Sequence, residues 1–189
     1  VYLGQALQTV NPPNASVGLS QLTATGTKDS TTFLRGDNTF AVAGGDNTPA
    51  FSAERNGAQA ISNTTRTTIL FNNEFYDSNS NYDTSTGKFT PTVAGKYYVS
   101  ATVLLDGDAN SNLSYAFIEL YKNSSVITES VHDDRGNYGR RRTCNINIIV
   151  DMNGSSDFLL IQAFIAEASG GANPQVGDMA TFQAFKIIE

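Results

Sequence analysis

From residue 49 to residue 189, apolar and polar residues alternate in short runs that are separated by clusters of Gly, Asn, Asp and Ser. Alternation with a period of two places successive side chains on opposite faces of a strand, and the separating residues favour turns. The pattern predicts strands at residues 50–54, 67–71, 88–92, 96–105, 114–122, 126–132, 143–152, 158–166 and 180–188. An all-β antiparallel sandwich or barrel is therefore expected. Asn153-Gly154 predicts a hairpin with a primed turn, because this pair supplies positive φ angles.

Composition excludes several classes of protein. Only 16% of the residues are charged and the formal net charge is -6, which argues against a nucleic-acid surface. The longest apolar run ends at Gln162, far short of a membrane span, so no membrane insertion is expected. Cys144 is the single cysteine and cannot form an intrachain disulfide.

The first 48 residues differ from the rest, since short apolar clusters there are interrupted by Pro and Gly without a sustained period. Gly36-Asp37-Asn38-Thr39 recurs as Gly45-Asp46-Asn47-Thr48, which predicts a pair of similar turns. We expect residues 1–48 to form an extended stalk or junction segment and residues 49–189 to form one head domain.

Two predicted strands are apolar on both faces. In 158–166, Leu159 and Ile161 lie on one face while Leu160 and Phe164 lie on the other. In the last strand, Phe182 and Phe185 are three positions apart and point to opposite faces. One face fills the core, and the other is most economically buried against another copy. Phe182, Phe185, Leu159 and Ile161 are thus predicted core or trimer-interface residues, and the sequence leaves open which of the two phenylalanines faces the interface.

Aromatic, acidic and glycine residues occur at a characteristic spacing at Phe71, Asp77, Tyr82, Phe89, Gly95 and Tyr97. This set resembles the signature of the complement one-q (C1q) globular head, which is related to the tumour necrosis factor fold. Val99 and Ala101 stand where that family usually has rings. The resemblance implies a ten-stranded antiparallel jelly-roll sandwich that assembles as a tight homotrimer and binds partners through surface loops.

Residues 25–41 are similar to a junction segment that precedes the receptor-binding tips of tailed-bacteriophage fibres. This resemblance implies a trimeric virion fibre or fibre-tip protein that acts outside the cell. Its N-terminal segment would contact other tail or fibre proteins, and its head would bind a host cell-surface glycan or protein. The alternatives are a structural virion protein whose head only registers and caps the trimer, and a secreted one-q-like lectin.

No catalytic residues are predicted, and the chain is not expected to be an enzyme. His132 is the only histidine, it lies before two aspartates at a strand end, and no Gly-x-Ser-x-Gly elbow occurs. Residues 106–112 imitate half of a calcium loop but lack its turn glycine and its closing glutamate. Asp133 and Asp134 are adjacent and surrounded by arginines, so we expect no metal and no cofactor.

Residues 133–142 hold four of the chain's twelve basic residues. Arginine grips carboxylate or phosphate through two parallel hydrogen bonds, and tyrosine stacks on sugars. Arg135, Tyr138, Arg140 and Arg141 are therefore the predicted receptor-binding residues, with an anionic glycan as the expected ligand. The alternative is that the arginines and aspartates of this loop pair with each other or across the trimer.

Overall fold

The computed structural model describes residues 23–42, 47–107, 111–168 and 174–187, and it divides the chain into two compact units between Gly45 and Asp46. In the N-terminal unit, β1 (Thr32–Leu34) and β2 (Phe40–Val42) form an antiparallel hairpin. Asp37 closes the hairpin turn, because its Oδ1 accepts hydrogen bonds from the backbone N–H and the hydroxyl of Thr39. The first of the two predicted turns is thus a hairpin loop. Gly45 and Asp46 of the second lie outside the described residues.

The second unit, called the head below, is built of strands. Its longer strands are β3 (Ala50–Glu54), β6 (Asn73–Asp77), β9 (Gly95–Asp106), β10 (Leu113–Lys122), β11 (Ser125–Asp133), β12 (Arg141–Met152), β13 (Leu159–Glu167) and β15 (Thr181–Lys186). Its two-residue strands are β4 (Gln59–Ala60), β5 (Thr67–Thr68), β7 (Tyr82–Asp83), β8 (Lys88–Phe89) and β14 (Gln175–Val176).

These strands form two antiparallel sheets that face each other. The first, called the β10 sheet, has the order β11-β10-β13-β8-β7, with β5 also paired to β13. The second, called the β9 sheet, has the order β4-β14-β9-β15-β3-β6, with β12 on the other side of β9. The prediction of an all-β sandwich is confirmed.

The strand count differs from the expected ten. The described part of the head has thirteen strands, of which five are two residues long. The extra strands arise where alternation is too short to be recognised in the sequence, as at β7 and β14. For the same reason the predicted strand at residues 67–71 forms a ladder only at Thr67–Thr68.

Aromatic residues fill the space between the sheets. Phe182 of β15 is fully buried, with its ring centroid 5.0 Å from that of Phe51 and 5.4 Å from that of Phe71. Phe51 also stacks on Tyr82 and on Phe89. Burial of such rings from both sheets contributes a large part of the hydrophobic stabilisation of a sandwich. The four aromatic members of the predicted signature, Phe71, Tyr82, Phe89 and Tyr97, are all buried in this core.

The hairpin predicted at Asn153-Gly154 is wrong. β12 ends at Met152 in the β9 sheet, whereas β13 belongs to the β10 sheet, so the connection crosses between the sheets. The Asn153 side chain holds this crossing, since its Oδ1 accepts hydrogen bonds from the N–H groups of Ser155, Ser156 and Asp157 at 2.9 to 3.0 Å. An asparagine that binds the backbone ahead of it forms an Asx turn rather than a primed hairpin turn.

The second face of β13 is partly covered within the chain, which differs from the expectation that another copy covers it. The ring of Phe164 stacks on that of Phe117 with centroids 4.7 Å apart. The guanidinium of Arg66 lies over both rings and forms two hydrogen bonds with Glu119, of 2.8 and 3.1 Å. Apolar stems and planar heads of arginines cover aromatic surface effectively. Side chains of the same chain therefore cover part of this face, and Phe164 remains partly exposed.

Candidate ligand-binding surfaces

The predicted receptor-binding loop, residues 133–142, joins β11 to β12 at one end of the sandwich. Its backbone is tied to β10 at both ends. The N–H of Asp134 donates to the carbonyl oxygen of Ser114, and Gly139 and Leu113 exchange two backbone hydrogen bonds of 2.9 and 3.1 Å. The Gly107 N–H donates to the carbonyl of Arg140. The loop is thus held in place by ordinary backbone pairing.

A buried carboxylate anchors the arginines at the start of β12. Asp106, the last residue of β9, is 1% exposed. The Arg141 Nε lies 2.8 Å from one of its oxygens and the Arg140 Nε lies 3.6 Å from the other. A carboxylate removed from water requires opposite charge and hydrogen bonds nearby. Arg141 supplies a hydrogen bond to Oδ2 and Arg140 supplies only a nearby positive charge, because no hydrogen bond from a described residue reaches Oδ1. Both arginines therefore have a structural task inside the chain.

The remaining arginines of the loop are also paired. Arg142 contacts Asp134 at 2.7 Å, and Arg135 forms an ion pair with Asp133. The side-chain hydrogen bond from Arg135 lowers the pKa of Asp133 to about 2. The Arg135 guanidinium also lies over the Tyr115 ring, 5.4 Å from its centroid.

In the structure, the arginines of this loop form ion pairs with its own aspartates, which was the alternative to receptor binding, and Asp106 is an additional partner. Four arginines and three aspartates leave the ion-paired cluster with little net charge. Tyr138 remains half exposed at the loop surface. The structure brings Arg135, Tyr138, Arg140 and Arg141 onto one loop, and their role in receptor binding stays a prediction.

The single histidine is engaged with the backbone. With a proton on Nε2, His132 donates to the carbonyl oxygen of Thr143 at 3.1 Å. Within the described ranges, no three His, Cys, Asp or Glu side chains are grouped so that they could hold a metal ion. Asp108, part of the calcium-like sequence, lies outside those ranges. Asp133 and Asp134 are each occupied by an arginine.

The four residues predicted to lie in the core or in a trimer interface differ in their exposure to solvent. Leu159, Ile161 and Phe182 are fully buried in the core of their own chain. Phe185 is 40% exposed on the outer face of the β9 sheet. Its strand register aligns it with Tyr98, 5.4 Å away between ring centroids, and Tyr98 is aligned in turn with Ile149. These three residues form the apolar row, a line of side chains across β15, β9 and β12.

A groove on the head, lined by both the polar atoms and the aliphatic groups of polar residues, was not predicted from the sequence. It measures about 450 Å³ and lies along the β7–β8 ribbon. Its lining residues are Ser80, Asn81, Tyr82, Asp83, Thr86, Lys88, Thr90 and Thr92. The sequence does contain a pattern that could have revealed this groove. Polar residues alternate with the buried Tyr82 and Phe89, and this alternation places the polar side chains on one outward face.

In the part of the chain that the structure describes, no helix has the length and apolar character required to cross a membrane.

Comparison with known proteins places the head in a family. The C1q domain model matches residues 50–157, more than half of the chain. No curated protein sequence matches it.

Solved structures share the fold at low sequence identity. The globular domain of zebrafish complement 1qA protein is 20% identical, with a TM-score of 0.55 over 74% of this chain and 98% of that chain. Eiger, a tumour necrosis factor from S. frugiperda, is 11% identical, with a TM-score of 0.55 over 73% and 91% of the two chains. Murine APRIL at pH 5.0 is 6% identical, with a TM-score of 0.51 over 73% and 98%. With the family match, the buried aromatic signature and the two-sheet sandwich, the chain belongs to the C1q domain family.

Proposed function

We propose that the protein is a trimeric virion fibre or fibre-tip protein of a bacteriophage and that its head binds the host cell surface. The observation that carries this proposal is a C1q-domain head preceded by a separate unit, residues 25–41 of which resemble phage fibre junctions. In this role the N-terminal unit contacts other tail or fibre proteins, and the protein acts outside the cell. Binding, rather than turnover of a substrate, is its task.

The apolar row supports assembly through the β9 sheet. Phe185, Tyr98 and Ile149 form a continuous apolar line on a sheet face whose other side chains are mainly polar. Contiguous exposed apolar surface is a common feature of contacts between protein chains, which supports a contact at this row. Three copies that bury the row around one axis form a homotrimer of about 61 kDa, three times the 20.2 kDa of one chain.

Assembly is tested by light scattering on the purified protein and two variants. Phe185→Asp places a charge in the row and is expected to yield a monomer near 20 kDa. Val131→Asp on β11 is the matched control, because Val131 is 39% exposed against 40% for Phe185 but belongs to the β10 sheet. The control is expected to remain trimeric. A monomeric parent protein, or equal masses for both variants, contradicts assembly through the row.

Attachment is tested with the purified trimer on intact cells. Weak sites repeated on one axis bind a repetitive surface much more tightly than one site does, provided that the spacing allows simultaneous contact. We expect labelled trimer to bind host cells and to block virion adsorption, and the Phe185→Asp monomer to do neither. A head that binds no cells but is required for fibre assembly favours the structural-cap alternative. Detection of the protein in secretions and never on virions favours the secreted lectin.

The ion pairs of residues 133–142 determine which variants can test the role of this loop in attachment. Truncating Arg140 or Arg141 strips a partner from the buried Asp106, so reduced adsorption of such a variant also reports lost stability. Arg135 and Tyr138 are better targets, because Arg135 pairs with an exposed aspartate and Tyr138 is half exposed. Arg135→Ala and Tyr138→Ala are expected to weaken adsorption while the trimer mass is unchanged.

A further inference from the structure

The β7–β8 ribbon presents a polar floor to solvent. Tyr82 and Phe89 are a cross-strand pair that points into the core, so the next pair, Asp83 and Lys88, points outward. Thr90 continues this outward row, since it follows the inward-pointing Phe89 and lies two positions from Lys88. Its N–H donates to the carbonyl of Asn81 at 2.7 Å. The groove of about 450 Å³ lies along this row and is in the size range of small-molecule sites.

Internal hydrogen bonds fix the walls of the groove. The Asn81 Oδ1 accepts hydrogen bonds from the N–H and the hydroxyl of Thr92, and its Nδ2 donates to the carbonyl of Asn79. Asp83 accepts hydrogen bonds from the N–H and hydroxyl of Ser85 and from the hydroxyl of Thr86. Side chains held in this way keep their orientation before a ligand arrives, which lowers the entropy lost on binding.

Other polar groups in the groove remain available. Among the described residues, the hydroxyls of Ser80 and Thr90 form no side-chain hydrogen bond. The Lys88 ammonium lies 4.3 Å from the centroid of the Phe158 ring, and no described carboxylate forms an ion pair with it. One further N–H of Asn81 also remains for a ligand. The groove therefore offers hydroxyl, amide and ammonium groups to a ligand.

The charge of the lining indicates the class of ligand. Lys88 and Asp83 carry opposite single charges, and the other lining residues are neutral and mostly hydroxylated. An anion is disfavoured by Asp83, and an apolar ligand leaves these polar groups unpaired at a cost in free energy. An uncharged ligand with several hydroxyls can both donate to Asp83 and accept from Lys88, Ser80 and Thr90.

We propose that this groove is a binding subsite for a neutral saccharide. The proposal rests on the proposed function, because it names the chemical class of the surface receptor. It assigns recognition to the β7–β8 ribbon, in addition to the arginine-containing loop. One copy of the groove on each chain gives a trimer three subsites.

The test is saturation-transfer NMR with the purified protein and a panel of neutral sugars: glucose, galactose, mannose, rhamnose, N-acetylglucosamine and their disaccharides. Thr90→Val removes one groove hydroxyl with little change in side-chain shape. Thr128→Val on β11 is the matched control, since Thr128 is also a half-buried strand threonine but lies outside the groove. One hydrogen bond is worth roughly 3- to 10-fold in affinity, so Thr90→Val is expected to weaken binding by about that factor and Thr128→Val to leave it unchanged.

Three results overturn the proposal: no signal from any sugar of the panel, equal binding by the parent and Thr90→Val, or tighter binding of inorganic phosphate than of every sugar. The adsorption assay keeps this inference separate from the proposed function. Trimer that binds cells equally well with or without Thr90→Val refutes the groove and retains attachment. Sugar binding that Thr90→Val weakens, in a protein that binds no cells, retains the groove and refutes attachment.

Discussion

Phe182 is the side chain whose truncation tests the packing of the head most directly. It is fully buried, and its ring lies within 6.2 Å of three others, those of Phe51, Phe71 and Tyr82. Phe182→Ala leaves a cavity bounded by rigid rings from both sheets, which cannot collapse without disturbing the strand ladders. Truncation of a buried phenylalanine to alanine costs about 3 to 5 kcal/mol, and the rigid surroundings favour the upper end of that range.

The assay is urea unfolding at one fixed protein concentration, followed by circular dichroism. With an m-value of about 2 kcal/mol per molar urea, the midpoint is expected to fall by about 1.5 to 2.5 M. A domain of this size has about 5 to 15 kcal/mol of stability, so the variant loses its folded state in water only if the parent lies at the low end of that range.

Phe75→Ala is the control for this measurement, because Phe75 is 62% exposed on β6. Surface substitutions of this kind change stability by about 0.5 kcal/mol or less. Midpoints that shift equally for Phe182→Ala and Phe75→Ala would refute the assignment of Phe182 to the core. So would a Phe182→Ala shift below about 0.5 M.

Three further predictions follow from single contacts. The Asp133 carboxylate is expected to titrate near pH 2 by NMR, because its pKa is lowered to about 2, and Arg135→Ala should raise that pKa toward 3.8. The ion pair therefore stabilises the folded protein above pH 3.8, and this stabilisation is lost as the pH falls through 2. A titration midpoint that Arg135→Ala leaves unchanged contradicts the ion pair. Burial raises the pKa of the Cys144 thiol to about 11, so a thiol reagent at pH 8 should label it only in urea, and rapid labelling of the native protein contradicts this. Gly154→Ala should destabilise the head by about 1 to 3 kcal/mol in the same urea assay, because Gly154 has a φ of +70° and an added Cβ would collide with the Ala94 backbone. An unaltered urea midpoint contradicts that collision.

Alternation along the chain was sufficient to find the long strands, because their faces differ strongly in burial. In β3, Phe51 and Ala53 are buried while their neighbours are partly exposed, and the predicted bounds agree with the observed ones. The same rule correctly assigns Phe182 and Phe185 to opposite faces. It could not decide which face is the core, since both residues are equally apolar and only the neighbouring strands distinguish them.

Sequence reasoning mispredicted or missed features whose structure depends on residues that are distant in sequence. Asn153-Gly154 has the local chemistry of a hairpin, but the partner strands of β12 and β13 lie in different sheets. Part of the outer face of β13 is covered by Arg66, which is far away in sequence and close only in the folded chain. The groove along the β7–β8 ribbon was missed for the same reason, because its free hydroxyls can be recognised only when the internal hydrogen bonds are known.

The position of β15 has a consequence for how the protein is made. This strand is the last of the head, yet it lies between β3, the first strand, and β9. Ser52 and Gln183, 131 positions apart in sequence, pair across that ladder. The strands from β3 to β14 are therefore synthesised before β15 can complete the β9 sheet, and the entropy lost in joining segments so far apart in sequence slows this step. Until β15 is in place, the edges of β3 and β9 that it covers lack hydrogen-bond partners, and unpaired strand edges of this kind favour association with other chains.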